Sequence, residues 1–154
     1  MNESLTIRVL GPDDAVLLAG MNTMFGAAFG EVATYTGARP DGTYLKRLLA
    51  GDTLIAVAAL HGNVVVGGLA AYELRKFEQT RSEIYLYDLA VAESHRRRGI
   101  ATRLIAKLQR VAADRGACVV YVQADPEDAP AIALYDKLGL RESVLHFDLP
   151  VRPR

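Results

Sequence analysis

The stretch His95-Arg96-Arg97-Arg98-Gly99-Ile100-Ala101 decides the fold. It follows a segment rich in β-branched and aromatic residues (83–91) and opens a segment with apolar residues at helical spacing (100–111). A helix N-terminus presents unpaired N–H groups and a positive dipole end, which suit a pyrophosphate. Gly99 lets a ligand approach the backbone closely, and the three arginines add fork-shaped phosphate donors. We predict a phosphate-binding loop; the alternative is a solvated basic turn.

Outward from this loop, apolar periodicity and turn residues predict six strands and four helices. The predicted strands cover residues 6–10, 53–60, 64–74, 83–91, 118–122 and 144–148. The predicted helices begin at Pro12, cover about 42–49 and 100–116, and run from an Asp128 cap to Gly139. Residues 30–41 are rich in turn formers and are expected to form a loop.

This order predicts an α/β fold with a largely antiparallel first half and one parallel crossover. The β-α-β unit over residues 83–122 should be right-handed and should place the start of its helix beside the carboxyl end of its strand. Ligands of α/β folds bind at such corners. The length of 154 residues fits one domain, residues 1–154, around one core.

Composition excludes several classes of function. Lysine and arginine total 18, aspartate and glutamate total 18, and this zero net charge favours neither nucleic acid nor a membrane surface as partner. The first nine residues lack the apolar core of a signal peptide, and no apolar run is long enough to cross a bilayer. We therefore expect a cytoplasmic protein.

The cysteine and the histidines do not suggest a metal site or a nucleophile. Cys118 is the single cysteine, and its apolar surroundings (118–120) predict a buried structural thiol. The three histidines, which lie far apart in sequence and lack ligand spacing, are His61, His95 and His146.

The motif Arg96-x-x-Gly99-x-Ala101 matches the (Gln/Arg)-x-x-Gly-x-(Gly/Ala) signature, so the chain resembles the GNAT acetyltransferases. That resemblance implies a mixed central sheet flanked by helices, and acetyl-CoA as the acetyl donor. It implies that the pyrophosphate is held by Arg96, Arg97, Arg98, Gly99, Ile100, Ala101 and Thr102. Asp88-Leu89-Ala90-Val91 is similar to the strand end that pairs with the pantetheine arm, which adds Leu89, Ala90 and Val91 to the cofactor site.

Residues 133–139 resemble the later GNAT helix that carries a tyrosine, here Tyr135. The resemblance implies that this tyrosine lies near the CoA sulfur and protonates the departing thiolate; the alternative is a core tyrosine with a satisfied hydroxyl. Many relatives have an asparagine at the start of this helix. This chain has Asp128, which we interpret as the helix cap.

A narrower likeness covers residues 10–148 and is to the class I aminoglycoside 3-N-acetyltransferases, the gentamicin-acetylating branch. The segments that carry it are Glu31-Val-Ala-Thr-Tyr35, Phe77-Glu-Gln, Arg81-Ser-Glu-Ile-Tyr85, Tyr87-Asp-Leu-Ala-Val91, Tyr121-Val-Gln-Ala-Asp125 and His146-Phe-Asp148. The likeness implies acetylation of the 3-amino group of a deoxystreptamine antibiotic, hence antibiotic resistance. GNAT relatives are often dimers, so a homodimer is expected.

Such a polycationic substrate requires carboxylates in its pocket. Tyr35 lies in the early loop that caps substrate in related enzymes; the alternative is a loop that is merely solvated. Asp125 follows a short strand where parallel strands splay in GNAT folds, although it can equally be a turn carboxylate before Pro126. The expected substrate-binding residues are Glu83, Asp125, Tyr35, Glu142 and Asp148.

Asp88 is the expected catalytic base. Strict alternation places it on the face of Ile84, Leu86 and Ala90, where burial should raise the pKa of its carboxyl unless a cation pairs with it. Such a carboxylate can take a proton from an ammonium group. The alternative is a structural aspartate bonded to a backbone amide or an arginine, and a bulge in this strand would change its face.

We expect direct transfer in a ternary complex, with Asp88 and Tyr135 as the catalytic pair and an N–H group near Leu89 stabilising the oxyanion. Two other functions fit the same motif. One is acetylation of another amine, such as a polyamine or a protein N-terminus. The other is a CoA-binding regulatory module without catalysis.

Overall fold

The computed structural model describes residues 4–154, and these form two compact units that divide between Gln123 and Ala124. In the first unit the strands are β1 (Leu5–Val9), β2 (Leu54–His61), β3 (Val64–Arg75), β4 (Ser82–Val91) and β5 (Ala117–Val122). Its helices are α1 (Ala15–Phe29), α2 (Val32–Thr36), α3 (Gly42–Ala50) and α4 (Ile100–Asp114), with short 3-10 turns at Pro12–Asp14 and Glu93–His95. The second unit contains α5 (Ala129–Leu138).

The five strands form one sheet in the order β1-β2-β3-β4-β5. The pairs β1–β2, β2–β3 and β3–β4 are antiparallel, and the pair β4–β5 is parallel. Helix α4 connects the two parallel strands, so the predicted parallel crossover is confirmed. The mixed sheet confirms the predicted α/β fold class.

Helices pack on both faces of this sheet, and two adjacent glycines of β3 allow them to do so. A Cβ at Gly68 would lie 2.3 Å from Sδ of Met21 in α1. A Cβ at Gly67 would lie 3.1 Å from Cγ2 of Ile100, the first residue of α4. Neighbouring residues of a strand point to opposite faces, so α1 covers one face and the start of α4 contacts the other.

Apolar burial follows the predicted helical and strand periodicities. On the α1 face, buried residues of α1 pack with small residues of β2 and β3. The helix contributes Leu18, Met21 and Phe25, and the strands contribute Ala56, Ala58 and Ala70. In α4, two of the apolar residues at helical spacing, Leu104 and Leu108, are fully buried. Gly116, at φ +72, ends this helical segment in the left-handed conformation, as its position suggested.

A β-bulge interrupts the β3–β4 ladder. Ala70 pairs with Asp88, whereas the next residue of β3, Ala71, pairs with Leu86. Tyr87 is therefore the additional residue of the bulged strand. Directly opposite residues of an antiparallel pair share a face, so Asp88 shares the face of Ala70, and Leu86 lies on the other face.

Two predictions about the N-terminal half and the edge strand were wrong. Residues 30–41 are not wholly a loop, because residues 32–36 form α2. The strand over 117–122 is not buried, and Cys118 is exposed. The physical reason is that β5 is an edge strand, which has a hydrogen-bonded neighbour on one side only.

The predicted strand over 144–148 was also wrong, since residues 139–154 have no regular secondary structure. A strand requires a hydrogen-bonded neighbour, and these residues have no ladder partner within the part of the chain that the structure describes. Their apolar side chains are exposed instead, namely Val144, Leu145, Phe147, Leu149 and Val151. No helix within residues 4–154 combines the length and apolarity needed to cross a membrane.

The contact between Gly68 and Met21 predicts a coupled effect on stability. Gly68→Ala should lower the free energy of unfolding by about 1–3 kcal/mol, because the new methyl group overpacks the α1 face. Met21→Ala alone should cost about 2–5 kcal/mol through the cavity that it leaves. Urea unfolding of both single variants and of the double variant measures the coupling. The double variant should be more stable than the sum of the two losses predicts, and simple additivity would contradict the contact.

Candidate active site

The loop between β4 and α4 has a backbone conformation that suits an anion. Arg97 has φ +62 and Gly99 has φ +73, so two residues of the loop are left-handed. For a residue with a Cβ this conformation costs about 1–2 kcal/mol, and glycine avoids that cost. A Cβ at Gly99 would meet no atom within 4 Å. The backbone angle is therefore what requires glycine in this structure.

The N-terminus of α4 is open to a ligand. The N–H of Arg103 donates to the carbonyl of Gly99 at 3.1 Å, and no side-chain hydrogen bond caps the helix within residues 4–154. The N–H groups of the first turn, Ile100 to Thr102, precede that bond and have no carbonyl four residues back within the helix. Together with the dipole they favour a bound phosphate.

Contacts on both sides of the loop fix its position. Arg96 Nε donates to the carbonyl of Val91 at 3.1 Å, which ties the loop to the end of β4. Ile100 is buried and lies against the site of Gly67. The guanidinium groups of Arg97 and Arg98 belong to exposed residues. The predicted phosphate-binding residues are therefore contiguous, all except Ile100 are at least partly exposed, and the segment fits a pyrophosphate.

The end of β4 offers free backbone on the side of β5. The parallel ladder ends where Leu86 pairs with Val122, although β4 continues to Val91. Within residues 4–154, Leu89 to Val91 pair with β3 and not with β5, and the carbonyl of Val91 also accepts from Nε of Arg96. Their groups on the β5 side can therefore bind an extended ligand, which agrees with the role implied for this segment.

Asp88 lies on the opposite face from the one that strict alternation predicted. Because of the bulge it shares the face of Ala70, and Ile84 and Leu86 lie on the other face. Burial raises the pKa of its carboxyl, a hydrogen bond from Tyr35 partly offsets this rise, and the charge of Glu31 adds to it. No ion pair found within residues 4–154 includes Asp88. The raised pKa favours the role of proton acceptor near neutral pH.

Tyr35 is held against Asp88 from helix α2. Its hydroxyl donates to Oδ1 of Asp88 at 2.8 Å. Its ring centroid lies 5.9 Å from that of Phe25 and 5.6 Å from that of Phe29, both in α1. Burial and the hydrogen bond to Asp88 raise the pKa of the Tyr35 hydroxyl, so it stays a donor at neutral pH. The substrate-binding residue predicted in the early loop thus contacts the predicted base.

Glu83 is on the Asp88 face but at the far end of β4. It pairs with Leu74 in the β3–β4 ladder, and its carboxylate lies 4.0 Å from Nζ of Lys76. Five residues of extended strand separate it from Asp88, roughly 15 Å. The structure therefore does not bring these two carboxylates together.

The other predicted residues belong to the second unit. Burial, with a smaller effect of the Asp128 charge, raises the pKa of the Tyr135 hydroxyl to about 12. Asp128 caps α5, since its Oδ1 accepts from the N–H of Ala131 at 3.2 Å.

The carbonyl of Asp125 accepts from the N–H of Asp128 at 3.0 Å, which forms a turn. Asp148 contacts His146 at 2.9 Å, and Glu142 is exposed.

Sequence reasoning missed Tyr72, which lies near Asp88. The negative charge of Asp88 contributes to a raised pKa of Tyr72, after the larger effect of burial. The signal that could have found Tyr72 is its position as an aromatic residue in β3, the strand that pairs with the strand of Asp88. Reasoning from spacing also missed that His61 and His95 are close, with 3.4 Å between Nδ1 and Nε2. No group of three or more potential metal ligands occurs within the described residues.

Comparisons with known proteins identify the family. The acetyltransferase (GNAT) family model matches residues 25–140. The crystal structure of an aminoglycoside acetyltransferase, HMB0005, from an uncultured soil metagenomic sample is 60% identical, covers 97% of this chain and 99% of its own, and has a TM-score of 0.94. A second from such a sample, meta-AAC0020 in complex with sisomicin, is 29% identical, covers 96% and 97%, and has a TM-score of 0.88.

A curated rat protein, N-acetyltransferase 8B from Rattus norvegicus, is 29% identical over 86 residues. These residues are 56% of this chain and 39% of the rat protein, so the match spans well under half of that relative's length. Acetyltransferases of the GNAT family use acetyl-CoA, which agrees with the open loop and strand edge described above. The chain belongs to the GNAT family of acetyltransferases.

Proposed function

We propose that this chain transfers the acetyl group of acetyl-CoA to the 3-amino group of an aminoglycoside antibiotic. The observation that carries the proposal is the placement of Asp88, a partly buried carboxylate with a raised pKa, on the strand whose β5-side edge is open. The identity of 60% over 97% of the chain to an aminoglycoside acetyltransferase supports the substrate class. Resistance to the antibiotic is the proposed consequence.

On the donor side, the loop 96–102 holds the pyrophosphate through the N–H groups of α4 and the arginine side chains. The open backbone of Leu89 to Val91 binds the pantetheine arm. Acetyl-CoA supplies an acetyl group as a thioester. This arrangement aligns the donor along β4, so that positioning contributes much of the rate acceleration.

The reaction proceeds by direct attack of the amine. Asp88 accepts a proton from the 3-ammonium group, and the free amine forms a bond with the thioester carbonyl carbon while the carbon–sulfur bond breaks. An N–H group of the strand near Leu89 stabilises the negative charge on the oxygen. Tyr135 donates its hydroxyl proton to the sulfur, which leaves as a thiol, and the second proton that the acetylated nitrogen loses passes through solvent and restores the Tyr135 hydroxyl. The products are the N-acetyl antibiotic and CoA, with no acetyl-enzyme.

Tyr35 acts on this reaction by orienting Asp88. Its hydroxyl occupies one position around Oδ1 at 2.8 Å and leaves the remaining lone pairs of the carboxylate for the substrate. The aromatic contacts with Phe25 and Phe29 keep this hydroxyl in place. The early loop therefore connects binding of the antibiotic to the geometry of the base.

The assembly and location of the protein complete the proposal. Residues 1–154 act as one catalytic domain in the cytoplasm, as a homodimer that binds neither nucleic acid nor membranes. Support for the dimer comes from the second unit, whose exposed apolar side chains would be covered in an interface. They include Leu140, Leu145, Phe147, Leu149 and Val151. The carboxylates Glu83, Asp125, Glu142 and Asp148 orient the cationic rings.

The first prediction of this proposal concerns the product. Purified protein with acetyl-CoA and gentamicin should release free thiol, and mass spectrometry with NMR should locate the acetyl group on the 3-amino nitrogen. Spermidine and a peptide with a free N-terminus serve as alternative acceptors. Faster turnover of either acceptor would contradict the substrate class, and tight CoA binding without any turnover would indicate a regulatory module.

Replacement of Asp88 should affect activity and stability in opposite directions. Asp88→Asn should lower kcat/KM for the antibiotic by about 10²- to 10⁴-fold, the usual effect of a general base, with CoA affinity unchanged. Because the folded chain raises the pKa of this carboxyl, its ionisation destabilises the folded state above about pH 4. The variant should therefore have a higher Tm at pH 7, and this gain should vanish at lower pH.

Asp52→Asn is the matched control for that measurement. Its carboxyl has a lowered pKa because of the hydrogen bond and charge of Arg75, so its replacement should not raise the Tm at pH 7. A lower Tm for Asp88→Asn at pH 7 would show that the buried charge is compensated and would argue against a raised pKa.

Replacement of Tyr35 should move the pH profile. The Tyr35 hydrogen bond lowers the pKa of Asp88 against the effect of burial, so Tyr35→Phe should raise that pKa. The acidic limb of the kcat/KM profile should shift to higher pH, because Asp88 must be ionised to accept a proton. Tyr44→Phe, an exposed tyrosine of α3, should leave the profile unchanged. A loss of activity with an unshifted limb would restrict Tyr35 to substrate contact.

A further inference from the structure

Three tyrosines lie in register across three strands on the Asp88 face of the sheet. Tyr72 of β3 pairs with Tyr85 of β4, and Tyr85 pairs with Tyr121 of β5. Tyr72 and Ala70 are two residues apart in β3 and share a face, and Ala70 pairs with Asp88. The three paired tyrosines, Tyr72, Tyr85 and Tyr121, and Tyr87 of the bulge are together called the tyrosine row.

The rings of the tyrosine row form a continuous aromatic surface. Tyr85 and Tyr121 are stacked, with centroids 4.7 Å apart and an interplanar angle of 8°. The ring of Tyr87 lies 5.3 Å from that of Tyr85 and 6.0 Å from that of Tyr72, edge to face in both cases. The ring of Tyr87 therefore packs against the rings of Tyr72 and Tyr85 on the Asp88 face.

Sheet stability explains only part of this arrangement. Stacked cross-strand aromatic pairs such as Tyr85 and Tyr121 stabilise a sheet. Tyr87 is 62% exposed and Tyr72 is 38% exposed, so both leave much of their aromatic surface in water. Tyr87 is also the additional residue of the bulge and has no direct partner in β3. Burial therefore does not account for an aromatic side chain at position 87.

The electrostatic environment of the tyrosine row favours a cation. Burial and the charge of Asp88 raise the pKa of Tyr72, and Asp88 also contributes to the raised pKa of Tyr85, after burial and the neighbouring tyrosines. Glu83 lies on the same face. The hydroxyl of Tyr85 donates to Oε1 of Gln123 at 2.9 Å, so it faces a neutral amide. Aromatic faces beside carboxylates attract ammonium groups.

We infer that the tyrosine row is a binding surface for ammonium-bearing sugar rings, with Tyr87 as its principal contact. This inference rests on the proposed function and adds the subsite that binds the part of the antibiotic beyond the reacting amine. An ammonium group lies over the exposed ring face of Tyr87 while the reacting amine lies at Asp88. The bulge serves both contacts, because it places Tyr87 and Asp88 next to each other on one face.

Isothermal titration of the CoA-bound protein with gentamicin tests this subsite. Tyr87→Leu retains an apolar side chain without a ring, and Tyr87→Phe retains the ring without the hydroxyl. We expect Tyr87→Leu to raise the Kd for gentamicin by about 3- to 30-fold, and Tyr87→Phe to stay within about twofold of the parent chain. Phe77→Leu, at an exposed aromatic residue outside the row, should leave the Kd unchanged.

A second variant guards against disturbance of the bulge. Tyr72→Leu lies outside the bulge and should also raise the Kd for gentamicin, with CoA affinity retained. Trehalose is a neutral disaccharide without an ammonium group. Any affinity for trehalose should therefore be the same in the parent chain and in the Tyr87 variants. Equal gentamicin affinity in the parent chain and both leucine variants would overturn the inference, as would an equal loss in Tyr87→Phe and Tyr87→Leu.

The same titrations separate this inference from the proposed function. If gentamicin is acetylated but its Kd does not depend on Tyr87, the subsite is wrong and the function stands. If gentamicin is not acetylated but binds with Tyr87-dependent affinity, the subsite stands and the function is wrong. Absence of both turnover and Tyr87-dependent binding would overturn both.

Discussion

The additional residue that Tyr87 introduces into β4 turns Asp88 from the α4 face of the sheet to the α1 face. Without that bulge, strict alternation would place Asp88 with Ile84 and Leu86, which are almost completely buried. With the bulge, Asp88 shares the face of Ala70 and lies within hydrogen-bond distance of Tyr35. The contacts of Asp88, the proposed base, on the α1 face follow from this one register shift, and with them the acceptor side of the proposed active site.

In the proposed mechanism, the two faces of the sheet support the two reactants separately. On one face, the close approach of Ile100 to Gly67 sets the start of α4 on β3 and fixes the phosphate loop. On the other, α1 and α2 bring Tyr35 to Asp88. Both arrangements meet in β4, whose last residues are free of β5. A substitution that moves β4 therefore affects donor and acceptor together, whereas one confined to either helical layer affects a single reactant.

Local pattern predicted most of the elements and the strand–loop–helix order around the proposed phosphate loop, because helical periodicity, caps and element order are properties of consecutive residues. It failed where a residue's environment depends on distant pairing. The face of Asp88 depends on its register with β3, and the exposure of Cys118 depends on β5 being at the sheet edge. Residues 144–148 alternate like a strand but find no partner within the described chain. The Tyr35–Asp88 contact spans 53 positions, which no local period encodes.

The departures from ordinary folding rules are concentrated in one segment of the chain. Asp88 is a partly buried carboxylate outside any ion pair found in residues 4–154, Tyr87 is an exposed aromatic residue at a bulge, and Arg97 has a left-handed backbone. Each feature costs stability that a simpler residue at the same position would avoid. Elsewhere, β2 pairs with β3 in a regular register from Ile55 to Ala59, and these apolar residues of β2 are buried. Three costs within ten residues of one strand end are better explained by binding and catalysis than by folding, since folding alone favours removing each of them.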